Sequence, residues 1–217
     1  MSLLNRQILN RIIIGIIYLS LFLLASKYES LLFLILFLSS LLITSLLEFY
    51  KITKKNHNIL LKLFVAIIYI LTPITCLFLI RFEFTNGDNL LAFLIILVCI
   101  NDVSAFTVGK LFGKTKLSNI SPNKTVEGLF GSFFLCLLIG PFLIKYFQIL
   151  VRIDSFILSL LISISANFGD YIESVIKRKF NKKDSGRILM SHGGILDRID
   201  SLLISGPFFY CIMKILN

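Results

Sequence analysis

The chain has 217 residues, of which 57% are hydrophobic and 16% are charged. This composition, with a mean hydropathy of +0.90, excludes an ordinary soluble domain, in which about 25% of residues are charged. The formal net charge of +10 would suit a nucleic-acid partner, but the cations are spread over loops between apolar stretches rather than gathered in one patch. The four cysteines all lie in apolar stretches without a CxxC pair, so we expect neither a disulfide nor a metal role for them.

Seven apolar stretches approach the length of about 20 residues that a helix needs to cross a bilayer. They cover residues 12–26, 31–49, 59–80, 90–108, 128–147, 155–172 and 201–216. The first is short and also resembles a signal peptide, whose cleavage near Ala25 would leave six spans. We predict an all-α integral membrane protein, a polytopic bundle of about seven transmembrane helices in one domain over residues 1–217.

The cations favour one orientation. With a cytoplasmic N-terminus, most Lys and Arg residues lie in cytoplasmic segments, including the seven between Gly169 and Ser201. The positive-inside rule therefore predicts a multi-pass protein of the cell (inner) membrane, with its N-terminus and its charged loops in the cytoplasm. Anionic headgroups and nucleotide phosphates are then the expected partners, rather than nucleic acid.

Residues 1–89 carry few polar side chains and are predicted to be mainly scaffold, whereas residues 100–205 carry the candidate chemistry. Glu48 is interpreted as an interfacial residue close to Lys51, with a functional carboxylate as the alternative. Pro73 predicts a kink in the third apolar stretch.

A basic loop with several glycines follows Asp102 and extends from Gly109 to Gly128. Ser121-Pro122 predicts a helix start with Ser121 as the N-cap, which places Lys124 and Thr125 in the first turn. A helix N-terminus with these side chains suits a phosphate. An ordinary capped helix explains the pattern equally well.

The segment from Gly169 to Ser201 contains five acidic and seven basic residues. Its first part has the spacing of one helical face, at Asp170, Glu173, Ser174, Lys177 and Arg178. A second pair, Asp197 and Asp200, would repel each other unless a cation joined them. Together with Asp170, this pair predicts an oxygen-ligand site for Mg²⁺.

Between these helices lie Lys183, Asp184 and the run His192-Gly193-Gly194. Paired glycines permit close approach of the backbone to a ligand. His192 could act as a general base, donate to a phosphate or orient another group. A basic loop attached to anionic lipid would explain the lysines, but not five acids beside membrane spans.

This segment resembles the signature of the phosphatidate cytidylyltransferase (CDP-diacylglycerol synthase) family, S-x-x-K-R, four residues, K-D, then H-G-G-x-x-D-R-x-D. The matching residues are Ser174, Lys177-Arg178, Lys183-Asp184, His192-Gly193-Gly194, Asp197-Arg198 and Asp200. The upstream loop is similar too, at Asp102, Gly109-Lys110, Gly113-Lys114 and the run from Ser121 to Gly128. Met190-Ser191 and Phe106 depart from the family's usual Pro-Gly and Tyr.

The resemblance implies a Mg²⁺-dependent nucleotidyltransferase of phospholipid biosynthesis, with or without a second cation. CTP and phosphatidic acid would give CDP-diacylglycerol and pyrophosphate. The implied metal ligands are Asp170, Asp197 and Asp200, with Asp184 or Glu173 as further candidates. The implied catalytic residues are Asp170, Lys177, Arg178, Lys183, Asp184, His192, Asp197, Arg198 and Asp200. The implied substrate-binding residues are Asp102, Ser121, Lys124, Thr125, Glu127, Glu173, Ser174, Gly193 and Gly194.

Other interpretations stay open. A related CTP-dependent transferase or kinase could act on another membrane lipid. The CDP-alcohol phosphotransferases also use clustered Asp and magnesium, but their D-G-x-x-A-R pattern is absent. From a different class, an ion-coupled transporter could use Asp102 and Asp170 as intramembrane ion sites. A homodimer is compatible with the sequence, but no residue requires one.

Overall fold

A computed structural model describes residues 31–54, 58–118, 120–149, 153–180, 182, 185 and 194–216, with side chains from Leu34 onward. Within these ranges, six helices are long and apolar enough to cross a membrane. They are α1 (Leu31–Thr53), α2 (Ile59–Glu83), α3 (Gly87–Phe112), α4 (Val126–Tyr146), α5 (Ser155–Lys179) and α6 (Leu196–Leu216). The all-α, multi-pass prediction is confirmed. The six helices correspond to the second through seventh predicted stretches, and the first stretch lies outside the described residues.

Helix α3 contributes much of the core, because Leu91, Phe93, Leu94 and Leu97 are fully buried along its length. It packs against α2, α4, α5 and α6, while α5 also packs against α4 and α6. Large apolar side chains such as Phe134, Phe142 and Phe168 are exposed on the outside of the bundle. Lipid tails can solvate such a surface, whereas each helix satisfies its own backbone hydrogen bonds internally.

Helix α2 is irregular where the sequence predicted a kink. It contains a π-helical turn at Ile67–Leu71, directly before Thr72-Pro73. Pro73 has no N–H to donate to the carbonyl one turn earlier, so a regular ladder cannot continue through it. Thr72 instead donates both its backbone N–H and its hydroxyl to the carbonyl oxygen of Ile67.

The start of α4 corrects one prediction. The N-cap is Thr125, not Ser121, and the Thr125 hydroxyl accepts from Gly128 N at 3.1 Å. Ser121 begins a turn that closes with the bond from Lys124 N to its carbonyl oxygen. The following residues then pair back with the loop, since Lys116 and Thr125 form an isolated antiparallel bridge. Ser-Pro is a turn signal as well as a helix start, and this pairing holds the chain extended until Thr125.

Candidate active site

Three acidic side chains from three helices lie together inside the bundle. Asp102 belongs to α3, Asp170 to α5 and Asp200 to α6. The hydroxyl of Ser201 lies 3.0 Å from Asp102 Oδ1 and 2.8 Å from Asp170 Oδ1, so it joins two of them. The side chains of Asp170 and Asp200 lie close enough to act on each other electrostatically. We call Asp102, Asp170 and Asp200 the inner group. Ser201 was not predicted as a site residue, because a serine in an apolar stretch carries no distinctive signal.

Gly169 brings α5 and α6 close enough for the inner group to form. A Cβ at this position would lie 2.5 Å from the carbonyl oxygen of Asp200 and 3.1 Å from Cα of Ser201. Real side chains do not tolerate such contacts with backbone atoms. The absence of a side chain next to Asp170 therefore sets the spacing between the helices that carry the carboxyl groups.

The loop before α4 supplies a cation to this group. Lys124 forms an ion pair with Asp170. Arg178 of α5 holds the same loop, because its Nε donates to the carbonyl oxygen of Ile120 at 3.3 Å. Its Nη1 also donates to the carbonyl oxygen of Lys182 at 3.1 Å. Two of the predicted phosphate-binding side chains thus position the loop around the inner group.

The outer group consists of Glu173 and Lys177 of α5 and Asp197 of α6. Lys177 Nζ forms ion pairs with Glu173 and with Asp197 Oδ1, the latter at 2.7 Å. Asp197 also accepts backbone N–H bonds from Gly194 at 2.8 Å and from Ser185 at 3.1 and 3.2 Å. The predicted helical face of α5 is therefore real, and Asp197 anchors the segment before α6.

Glu48 corrects a second prediction, because it is fully buried rather than interfacial. Its carboxyl oxygens accept from Ile195 N at 3.0 Å, from Leu196 N at 2.9 Å and from the Ser185 hydroxyl at 3.3 Å. Helix α1 thus supplies the acceptor for the free N–H groups at the start of α6. A Cβ on Gly194 would collide with Glu48. A carboxyl group inside an apolar stretch was the available signal, since such residues are rarely incidental.

Behind the inner group lies a layer of buried amide and hydroxyl groups. Asn101 Oδ1 accepts from the Ser163 hydroxyl at 2.6 Å and from Asn167 Nδ2 at 2.8 Å. Asn101 Nδ2 donates to Asp102 Oδ1 at 3.2 Å, and Asn167 Nδ2 also donates to Ser132 Oγ at 3.0 Å. Such a connected network fixes side-chain orientation and holds Asp102 in place within α3.

The remaining predicted site residues fall into two sets. Glu127 binds the loop before α4: its carboxylate accepts hydrogen bonds from the backbone N and the hydroxyl of Thr115 at 2.9 to 3.2 Å. Ser121 and Ser174 are partly buried, and Arg198 is exposed. Four predicted residues lie outside the described chain: Lys183, Asp184, His192 and Gly193.

Two observations bear on a metal ion. Among the described residues, no group of three or more His, Cys, Asp or Glu side chains could hold a metal as it stands, and this includes the predicted trio Asp170, Asp197 and Asp200. The donor chemistry nevertheless fits Mg²⁺, which takes hard oxygen ligands and binds through one or two carboxylates plus substrate phosphates. The metal assignment stays a prediction, with Asp170 and Asp200 as the interacting pair.

The charge balance also favours a cation. Together with Lys124, the inner and outer groups combine five carboxyl groups with two ammonium groups, from the residues Asp102, Asp170, Glu173, Asp197, Asp200, Lys124 and Lys177. At low dielectric such an excess of acid is repulsive unless some of the carboxyl groups are protonated or further positive charge arrives. Glu173 Oε1 is buried and has no hydrogen-bond partner among the described residues, so it can still accept a hydrogen bond or bind a cation.

Comparisons with known proteins identify the family of this chain. The phosphatidate cytidylyltransferase of Staphylococcus aureus (strain COL) is 41% identical over 133 residues, which cover 59% of this chain and 50% of that protein. The Bacillus subtilis (strain 168) protein of the same name is 40% identical over 122 residues, covering 54% and 44%. The Helicobacter pylori (strain J99) protein of that name is 39% identical over 131 residues, covering 60% and 49%. The chain thus spans about half the length of these curated relatives. Because the model of the cytidylyltransferase family matches residues 4–216, the chain belongs to that family.

Proposed function

We propose that this protein is a phosphatidate cytidylyltransferase of phospholipid biosynthesis. A phosphate oxygen of phosphatidic acid would attack the α-phosphorus of CTP. The new P–O bond gives CDP-diacylglycerol, and the broken one releases pyrophosphate with its electron pair. One observation supports the proposal most strongly. The carboxyl and ammonium groups of the motif, from α5, α6 and the loop with Lys124, contact one another inside a membrane bundle.

The described cations have a clear role in this reaction. Two polyanions must meet, and positive side chains are needed to offset their repulsion. Lys124 and Lys177 are half-buried and already neutralise carboxylates, so an arriving phosphate would compete for ammonium groups whose positions are fixed. Arg178 and Arg198 are exposed nearby and would bind the outer phosphates. By its place in the family motif, Lys183 is also proposed to bind phosphate.

The acidic residues are proposed to hold Mg²⁺. Asp170 and Asp200 would bind it together with substrate phosphates, with Asp102 beside them and Asp197 as the remaining motif ligand. When bound, the ion would stabilise charge on the leaving pyrophosphate. The phosphate monoester of phosphatidic acid is already anionic near neutral pH, so no general base is required. His192 is proposed to orient or donate.

The proposed location is the cell (inner) membrane, with the site open to cytoplasmic CTP. The positive-inside distribution of Lys and Arg supports this orientation. Phosphatidic acid would enter from the bilayer, and no nucleic-acid partner is proposed. A homodimer stays a prediction.

The test is release of pyrophosphate from CTP by the purified protein, measured with and without phosphatidic acid and Mg²⁺. We expect release only when both are present, and label from radioactive CTP in an organic-soluble product. Label that appears only with another lipid phosphate would identify a related transferase. Substrate flux across sealed vesicles without nucleotide consumption would favour a transporter and contradict the proposal.

A further inference from the structure

The hydroxyl of Tyr69 is buried without a partner. The side chain is 5% exposed, and its hydroxyl finds no hydrogen bond among the described residues. Ser45 Oγ and Glu173 Oε1 share this property. A helical serine can turn its hydroxyl to a carbonyl one turn earlier, but the tyrosine hydroxyl stands at the end of a rigid ring. Buried polar groups in folded proteins rarely remain unsatisfied without a reason.

This hydroxyl lies within electrostatic range of the acidic groups of the site. The carboxyl groups concerned are those of Asp200, Glu173, Asp170 and Asp197. None of the four forms a hydrogen bond with it. The π turn that carries Tyr69 packs against both α1 and α6. The hydroxyl therefore lies within electrostatic range of the inner and outer groups and forms no hydrogen bond with either.

The backbone at Tyr69 is also unusual. The π turn at Ile67–Leu71 contains one more residue than an α-helical turn, which shifts the helical phase by about 100°. Single π turns are rare and occur often at functional sites. Pro73 explains how the π turn arises. The position of Tyr69 on this turn gives a functional reason for the irregularity in the helix.

We propose that the Tyr69 hydroxyl donates a hydrogen bond to a phosphate oxygen of the substrate, at a subsite between α2, α5 and α6. This inference rests on the proposed function. The unpartnered atoms of Tyr69 and Glu173 have opposite character, because the Tyr69 hydroxyl offers a donor and Glu173 Oε1 an acceptor. A phosphate with its accompanying cation supplies the complement of both. The phosphate belongs either to CTP or to phosphatidic acid.

The test is Tyr69→Phe in the full chain, which removes the hydroxyl and keeps the ring. We expect kcat/KM to fall about 10- to 100-fold, the range for a lost hydrogen bond to a charged group. A rise in KM for CTP alone assigns the phosphate to the nucleotide, and a rise for phosphatidic acid alone assigns it to the lipid. The matched control is Tyr210→Phe, which removes a hydroxyl bonded to Glu83 and should change kcat/KM by less than about twofold.

Stability separates binding from a structural role. Removing a buried hydroxyl that lacks a partner should leave the thermal midpoint unchanged or raise it. A lower midpoint for Tyr69→Phe would show that the hydroxyl has a structural partner and would overturn the inference. Wild-type kcat/KM for both substrates in Tyr69→Phe would also overturn it while leaving the proposed function intact. A wild-type protein without CTP turnover would overturn the proposed function, and this inference with it.

Discussion

Lys124 and Asp170 form an ion pair although 46 positions separate them in the chain. The side chains are 30% and 20% exposed, so the pair lies at the boundary between the loop before α4 and the interior of the bundle. The ammonium group of Lys124 can therefore exchange Asp170 for a phosphate as its partner without leaving the site. The loop is therefore part of the site rather than a connection between two spans.

Replacement of Lys124 tests this role. We expect Lys124→Met to lower kcat/KM for CTP by about 100-fold or more, because it removes a preorganised charge and leaves Asp170 without its ion-pair partner. Lys124→Arg should retain part of the activity, since the charge remains. Lys214→Met is the matched control: Lys214 pairs with Glu83 at 3.0 Å and is 57% exposed, so its loss should have little effect. Equal activity of the Met and Arg variants at position 124 would contradict an electrostatic role.

The acidic residues of α6 provide a second prediction. Asp197→Asn and Asp200→Asn should each abolish turnover while the protein still inserts into membranes, because both changes preserve side-chain size but replace a carboxyl group that can bind a metal ion with an amide. Asp154→Asn is a suitable control, since Asp154 caps α5 by accepting from Phe156 N at 2.7 Å and Asn caps helices about as well. Activity and membrane association are measured on the same preparations. Wild-type turnover in the double variant at positions 197 and 200 would exclude them as metal ligands.

Gly169 gives a prediction about helix spacing. Gly169→Ala should lower both stability and activity, because the new Cβ would meet the backbone of α6 at Asp200 and force the two helices apart. Gly206→Ala is the control within α6. There the nearest atom is the end of the Leu77 side chain at 3.0 Å, which can move, and alanine favours a helix by about 1 kcal/mol. Thermal midpoints and turnover are measured for both variants. A Gly169→Ala protein as active as the wild type would show that the spacing between α5 and α6 is not critical.

Sequence patterns predicted the parts of this structure that depend on local spacing. The six described helices follow from apolar length, and the face of α5 with Asp170, Glu173 and Lys177 follows from helical periodicity. Contacts between distant segments could not be predicted in this way. Glu48 reaches a backbone N–H 148 positions later, and Ser201 reaches Asp102 across 99. The start of α4 was misplaced because Ser121-Pro122 suits both a turn and a helix, and only the pairing of Lys116 with Thr125 selects the turn.

Glu48 is the most distant support of the site, and its replacement should separate stability from chemistry. Glu48→Ala leaves the N–H groups of Ile195 and Leu196 and the Ser185 hydroxyl without their acceptor. We expect it to lower the free energy of unfolding by at least about 2 kcal/mol, since each unpaired buried donor costs about 1–3 kcal/mol. Glu48→Gln keeps one acceptor oxygen and should fall between Glu48→Ala and the wild type.

Glu83→Gln, which changes an exposed carboxylate, is the control for removing a negative charge from a helix. Thermal unfolding in detergent gives the order, and turnover of the surviving folded protein shows whether the start of α6 still presents Asp197. If Glu48→Ala were as stable and as active as the wild type, the cap supplied by α1 would have no part in holding the site together.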